Sequence, residues 1–198
     1  MKIIGIGHRA QQGKTTLAEY MREIAPSEAK IYAFADELKR YCAENHETLV
    51  EQYPEVDLSK KKDDPIYGYV AMLQYIGTNV MRAQDPDIWV KKLDASLKEE
   101  NPEVVIVTDV RFPNEARYVQ DNGGLLIKLV RVTANGMQYI DPMRAEPHPS
   151  ELALEDYTEW DMLLTVQDTK LDALKQSAEI IMNAVLAAED FGQPLLAV

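Results

Sequence analysis

Gly13-Lys14-Thr15-Thr16 follows a short β-branched run, Lys2-Ile3-Ile4-Gly5-Ile6-Gly7, and a polar turn, and it opens an amphipathic stretch from Lys14 to Ile24. Strand, turn and helix in that order place consecutive backbone N–H groups at a helix N-terminus, where they cradle anionic oxygens. Gly13 lets the chain approach a phosphate, the Lys14 ammonium can reach the outer phosphates of a nucleotide, and the Thr15 hydroxyl can ligate Mg2+. The spacing departs from G-x-x-x-x-G-K-[ST], because position 8 is His8 and Gly7 lies one residue earlier. Either the loop carries one extra residue or His8 occupies the first-glycine position. The plain alternative is an ordinary strand-to-helix turn with a surface lysine.

Other candidates fall just after predicted strands. Asp36 can cap a helix that carries Lys39 and Arg40 one turn in, where paired cations could meet an acceptor phosphate; a capped helix with solvated charges is the rival. Asp109 directly follows the most hydrophobic run, Val104-Val105-Ile106-Val107. There it could hold Mg2+ through water, and Arg111 could clamp a phosphoryl group in fork geometry, unless the two form a buried ion pair. Gln74 offers an amide suited to a nucleobase edge, with a solvent-facing glutamine as the plain alternative that the residues alone favour, and Arg82, eight residues on, falls roughly on the same α-helical face. Trp89 is a pocket-wall candidate, with core packing as its default. Arg131 and Arg144 flank or occupy the segment Thr133 to Ser150, which is rich in proline and poor in periodicity. Such a segment can close over a transferring group and exclude water. His148-Pro149-Ser150-Glu151 reads as a helix start capped by Ser150 rather than as a metal-ligand pair.

The elements that must position these residues alternate. Strands are predicted at 2–7, 29–34, 104–107, 125–132 and 162–166, and helices at 14–24, 35–47, around 70–80, 87–99, 115–120 and 170–188. Charge and proline over Glu51 to Pro65 predict an exposed loop, Asp121-Asn122-Gly123-Gly124 a helix-ending turn, and the last ten residues a tail. Five apolar strands between helices imply an α/β fold with a parallel sheet covered on both faces, whose ligands sit beyond the strands' carboxyl ends. The expected organisation is a single domain over 1–198, with an acceptor-binding insertion at about 36–100 and a lid at about 132–151.

Composition restricts the partners. The 198 residues carry 21 Lys and Arg against 33 Asp and Glu, a formal charge of −12, so an anionic ligand needs a local cationic pocket and a nucleic-acid polymer is a poor partner. With 46% hydrophobic and 27% charged residues the composition is that of a globular protein. One cysteine, Cys42, allows no intrachain disulfide, and no run approaches the ~18 apolar residues of a membrane span. A cytoplasmic location is expected.

Thr108-Asp109-Val110-Arg111-Phe112-Pro113-Asn114-Glu115-Ala116 is the most specific segment of a wider set. With Gly13-Lys14-Thr15, Phe34-Ala35-Asp36-Glu37-Leu38-Lys39, Leu73-Gln74-Tyr75-Ile76-Gly77-Thr78 and His148-Pro149-Ser150-Glu151, in this order along nearly the whole chain, it resembles the phage-type deoxynucleoside monophosphate kinase family. The resemblance implies a P-loop kinase three-layer sandwich, with a five-stranded parallel sheet, a helical acceptor-binding region and a lid. It also implies transfer of the ATP γ-phosphoryl group to a dNMP with Mg2+, in host cytoplasm if the chain is phage-encoded. Lys14, Asp109, Arg111 and Arg144 are then the expected catalytic residues, and Thr15 and Asp109 the metal ligands. Gly13, Lys14, Thr15, Thr16 and Arg131 face the donor. Asp36, Lys39, Arg40, Gln74, Arg82, Trp89, Asn114, Glu115 and Glu151 face the acceptor. Partners are small molecules, with no membrane, and a homodimer is left open. One departure is Thr165-Val166-Gln167-Asp168, where relatives tend to have an Asn-containing turn near the ATP base. The alternatives are another small-molecule kinase, similar to those acting on dephospho-coenzyme A, and a nucleotide-binding switch module.

Overall fold

The computed structural model describes residues 1–25, 29–53, 72–142 and 148–188. Two compact units divide the chain, one of 1–33 with 97–198 and the other of 34–96. Arg144, the part of the expected 51–65 loop beyond Tyr53 and the C-terminal tail lie outside the described residues.

The first unit is built on β1 (Lys2–Gly7), β2 (Ala29–Tyr32), β3 (Val104–Val110), β4 (Leu125–Val132) and β5 (Met162–Gln167). They form one sheet in the order β2-β3-β1-β4-β5, and every pairing is parallel. Alternation along the central strand explains why both faces are covered. Ile4 and Ile6 enter a core with Leu17, Ala18 and Met21 of α1 (Lys14–Ile24) and Ala178, Ile181 and Met182 of the last helix, Leu171–Ala187. Gly5 and Gly7 point the other way, against Val119 and the Trp160 ring, which a side chain at either position would strike. Lys2, at the start of β1, donates its ammonium to the carbonyls of Val185, Leu186 and Ala188, capping the last helix where cations are favoured. The α/β class with five parallel strands agrees with the sequence reading. Among the described residues, no helix is long and apolar enough to cross a membrane.

Several boundaries differ from expectation. β3 runs on through Thr108, Asp109 and Val110 because β1 continues to pair with it, Gly7 opposite Val110, after an irregularity. The next helix begins at Pro113 rather than Glu115, since proline's fixed φ suits the first helical position and its missing N–H costs nothing there. That helix, Pro113–Asp121, ends at Asn122 and turns through Gly123 at φ 67°. Gly124 then passes so close to the backbone that an added Cβ would lie 2.7 Å from the Val119 carbonyl oxygen and 2.8 Å from that of Ile3. Neither oxygen can rotate away, so Gly124→Ala is expected to destabilise the protein by about 1–3 kcal/mol. An unchanged urea midpoint would contradict this packing.

In the second unit, α2 (Phe34–Glu44) and α3 (His46–Gln52) replace the single predicted helix. They are separated at Asn45, whose side-chain amide donates to the Tyr41 carbonyl, and α3 carries the chain as helix through Glu51 and Gln52. Tyr75–Met81 is π-helical and is followed by one α turn, Arg82–Gln84. Gly77 brings its backbone against Leu38 and accepts a bond from the buried Trp89 indole, 3.1 Å away. Cys42 is buried, and burial pushes its thiol up to about 11, so it is a packing residue rather than a nucleophile.

Candidate active site

The loop between β1 and α1 is built from strained backbone. Gly13 sits at φ 94° immediately before α1, a left-handed conformation that glycine adopts without penalty. His8 has φ 88° and Gln11 φ 57°, both uncommon for residues with a Cβ. The left-handed backbone at position 8 is a conformation that glycine adopts without penalty, as the reading of His8 in the first-glycine position requires. Lys14 is buried, and its ammonium donates to the His8 carbonyl at 3.3 Å and the Arg9 carbonyl at 2.5 Å, so the charge lies over the loop. Thr15 is exposed beside it.

His8 carries the most perturbed titration in the site. Only 4% exposed, it has no hydrogen-bond partner at either ring nitrogen among the described residues. Burial lowers its pKa to about 4, Lys128, Arg9 and Lys14 push in the same direction, and Glu155, 3.8 Å from Nε2, opposes them.

Around this loop the structure gathers several expected residues and gives them partners that the sequence did not reveal. The Arg111 backbone N–H donates to Glu115 Oε2 at 2.6 Å, and that of Phe112 donates to the same oxygen at 3.0 Å. Glu115 is therefore a buried acceptor at the start of its helix, holding the turn that carries Arg111. Arg111 Nη1 donates to Glu151 Oε1 at 2.8 Å, and Glu151 Oε2 accepts the Ala10 N–H at 2.7 Å. Asp109 and Asn114 are half-buried on either side of this turn. Arg131 lies at the end of β4, donating to Asp168 Oδ1 from Nε at 3.0 Å and Nη2 at 2.6 Å and to the Gln11 carbonyl at 3.2 Å from Nη1. Its guanidinium carbon is 4.1 Å from the Tyr139 ring centroid. Arg131 is thus held on the sheet.

Gln12 and Glu155 are structural ties of the loop, outside the candidate binding and catalytic residues. The buried Gln12 amide donates to the carbonyls of Ala10 and Tyr139, and its oxygen accepts the Arg131 N–H at 2.8 Å, tying the loop to β4. Glu155 takes both Nε and Nη2 of Arg9. Neither has a local signal, because the partners that tie the loop to other segments, Tyr139 and Arg131 for Gln12 and Arg9 for Glu155, are distant in sequence. The helix Pro149–Leu152 is capped by His148, whose Nδ1 accepts the Ser150 N–H at 3.2 Å; this corrects the expectation that Ser150 caps it.

The second unit treats its candidates differently. Lys39 pairs with Asp36 at 2.8 Å and Arg40 with Glu37, each one helical turn apart on an exposed surface, and Asp36 does not cap the helix as expected, because α2 begins at Phe34 and places Asp36 inside its first turn. Gln74 is half-buried, and Arg82 donates to the Pro86 carbonyl at 2.8 Å. The π-helical backbone between them removes the α spacing on which their shared face was argued. Trp89 is buried with its indole N–H bonded, so it packs the interior rather than a pocket wall.

No family model matches the chain. It is 30% identical over 203 residues to a protein of Acanthamoeba polyphaga mimivirus assigned as a deoxynucleotide monophosphate kinase, covering 93% of this chain and 98% of that one. The chain belongs to the deoxynucleoside monophosphate kinase family. A deoxynucleoside-5'-monophosphate kinase of Escherichia phage T5 is also 30% identical, over 103 residues, 50% of this chain and 41% of that kinase. Membership makes the protein a phosphotransferase of small molecules, which fits a cationic loop on an acidic chain. The junction of this loop with α1 carries a left-handed glycine, a buried lysine and an exposed threonine.

Proposed function

We propose that the chain transfers the γ-phosphoryl group of ATP to a deoxynucleoside monophosphate, giving a dNDP and ADP for DNA synthesis. The observation that carries this reading is the convergence of Lys14, the loop's Ala10 segment and Arg111 through Glu151. A loop that only cradles a nucleotide needs no arginine held beside it, whereas transfer between two anions does.

The acceptor's second phosphate pKa is near the ~6 of a monoester, so the attacking oxygen is mostly dianionic at neutral pH and needs no general base. The protein's task is to position two repelling anions and to neutralise charge. In this reading Lys14, with Gly13, Thr15 and Thr16, holds the donor phosphates, and Arg111 stabilises the group in flight. Arg131 flanks the donor, Arg144 belongs to a lid over 132–151, and the acceptor is met by residues of the region 36–100, with Asp36, Lys39, Arg40, Gln74 and Arg82 as candidates. The donor set suits Mg2+: Thr15 and Asp109 supply two oxygens, and Mg2+ is usually held by one or two protein oxygens plus phosphates and water. No cluster of three or more His, Cys, Asp or Glu ligands exists among the described residues, as such a site requires none. When bound, the ion neutralises charge on the phosphates. The protein works in the cytoplasm.

The test is ADP formation from Mg2+-ATP across a panel of dNMPs, NMPs and dephospho-coenzyme A. Stimulation by dNMPs supports the proposal, a preference for dephospho-coenzyme A assigns a different acceptor, and nucleotide binding without acceptor stimulation favours a switch. Arg111→Ala is expected to lower kcat about 10²–10³-fold, the scale of losing one preorganised donor at a charged transition state. A change confined to the KM for ATP would contradict its place at the transferring group.

A further inference from the structure

Glu151 is a carboxylate whose side chain is only 7% exposed, and a charge so buried requires neutralising partners. Two of its partners belong to different parts of the chain: Arg111 Nη1 on Oε1 at 2.8 Å and the Ala10 N–H on Oε2 at 2.7 Å. One carboxylate therefore joins the phosphate loop, the turn after β3 and the helix Pro149–Leu152. Arg111 is fixed at two points, since its backbone N–H is also bonded to Glu115. Its Nε and Nη2 have no partner among the described residues, and its side chain is 22% exposed. Nε and Nη2 form an edge of the guanidinium that can make two parallel bonds to a phosphate.

We propose that Glu151 is a positioning residue: it holds Arg111 by Nη1 so that the Nε and Nη2 edge faces the phosphoryl group carried by the loop. The inference rests on the reaction proposed above and adds the means by which its arginine is aimed. It differs from the substrate contact expected of Glu151 from sequence. Both carboxylate oxygens are engaged within the protein, and a third anion beside two phosphates would repel them unless tied to a cation. Glu155 forms a second tie between the same regions, through Arg9, without touching Arg111.

The experiment is a double-mutant cycle on Arg111→Ala and Glu151→Gln, with Glu155→Gln as a control for loosening of the segment. Glu151→Gln is expected to lower kcat about 10–100-fold with KM values changed less than about threefold, because a displaced arginine costs orientation rather than binding. In the Arg111→Ala background it should add less than about threefold, and Glu155→Gln alone should keep kcat within about threefold. Multiplicative losses, a loss confined to the KM for dNMP, or an equal loss in Glu155→Gln would overturn the proposal. A second readout needs no turnover. By NMR, the Ala10 N–H and an Arg111 guanidinium N–H should be protected from solvent exchange in the wild type and lose protection together in Glu151→Gln; unchanged protection overturns the proposal. If the wild type shows no dNMP-dependent ADP formation, the reaction assignment fails, and the exchange data still decide whether Glu151 holds Arg111.

Discussion

Lys14→Ala is expected to reduce phosphoryl transfer by about 10²–10³-fold while leaving dNMP binding measurable by calorimetry. The magnitude follows from where the ammonium lies. Lys14 is buried with its Nζ bonded to the carbonyls of His8 and Arg9, so its charge is fixed against the loop whose backbone amides would cradle the donor phosphates. Placing a positive charge there in advance means no reorganisation when negative charge redistributes in the transition state, and removing it sacrifices that stabilisation. The same substitution leaves the loop carbonyls short of a donor, so some stability is lost as well, on the order of 1 kcal/mol. A denaturation curve separates the two effects, because a folded variant with strongly reduced transfer identifies the charge as the cause. Near-normal transfer by Lys14→Ala would remove the loop from the proposed chemistry.

The second large effect is on stability below neutral pH, through His8. Burial, reinforced by Lys128, Arg9 and Lys14, holds its pKa at about 4 in the folded protein against 6.5 for an unperturbed histidine, with Glu155 pulling upward. The sign follows from proton counting. Between pH 6.5 and 4 an unfolded chain takes up a proton that the native imidazole refuses, so acid favours unfolding. His8's neutral state is thus without cost above about 6.5, and stability falls as pH drops through that window, by an amount on the order of 3 kcal/mol at most. Carboxylates also begin to titrate near the lower end, so the discriminating quantity is the difference between proteins. His8→Asn keeps a residue tolerant of positive φ without a titrating ring. Urea unfolding at pH 7 and pH 4.5 should show the wild type losing more stability than the variant. Parallel losses would mean that His8 is solvated or paired.

How much was legible in the chain depends on how far each residue reaches. The run Val104 to Val107 and the helix beginning at Lys14 were readable because a parallel strand buried on both faces shows as unbroken hydrophobicity and a half-buried helix shows as a 3.6-residue period. Gly13-Lys14-Thr15 was readable for the same reason, since a tight turn and an adjacent cation are encoded by neighbours. The π-helical Tyr75–Met81 was not, because residues compatible with an α-helix were carried into a wider turn where Gly77 packs against Leu38 and bonds to Trp89. Ser150 was expected as a helix cap from its type, but the neighbouring His148 ring supplies the acceptor instead.

The sequence by itself determined the alternation of strands and helices, the class of sheet and the glycine-lysine turn that opens α1, all set by side chains within a few residues of one another. The left-handed backbone at His8 and Gln11 came only with the tertiary structure, because a loop of mixed residues leaves its conformation undetermined. The tertiary structure also decided the partners of the charged groups. Glu151 meets Ala10 from 141 residues away and Arg111 from 40, and the parallel sheet is what delivers these segments to the same ends of adjacent strands. A carboxylate and an arginine can each find many partners in solution, and only the folded chain chooses which of them share a buried site.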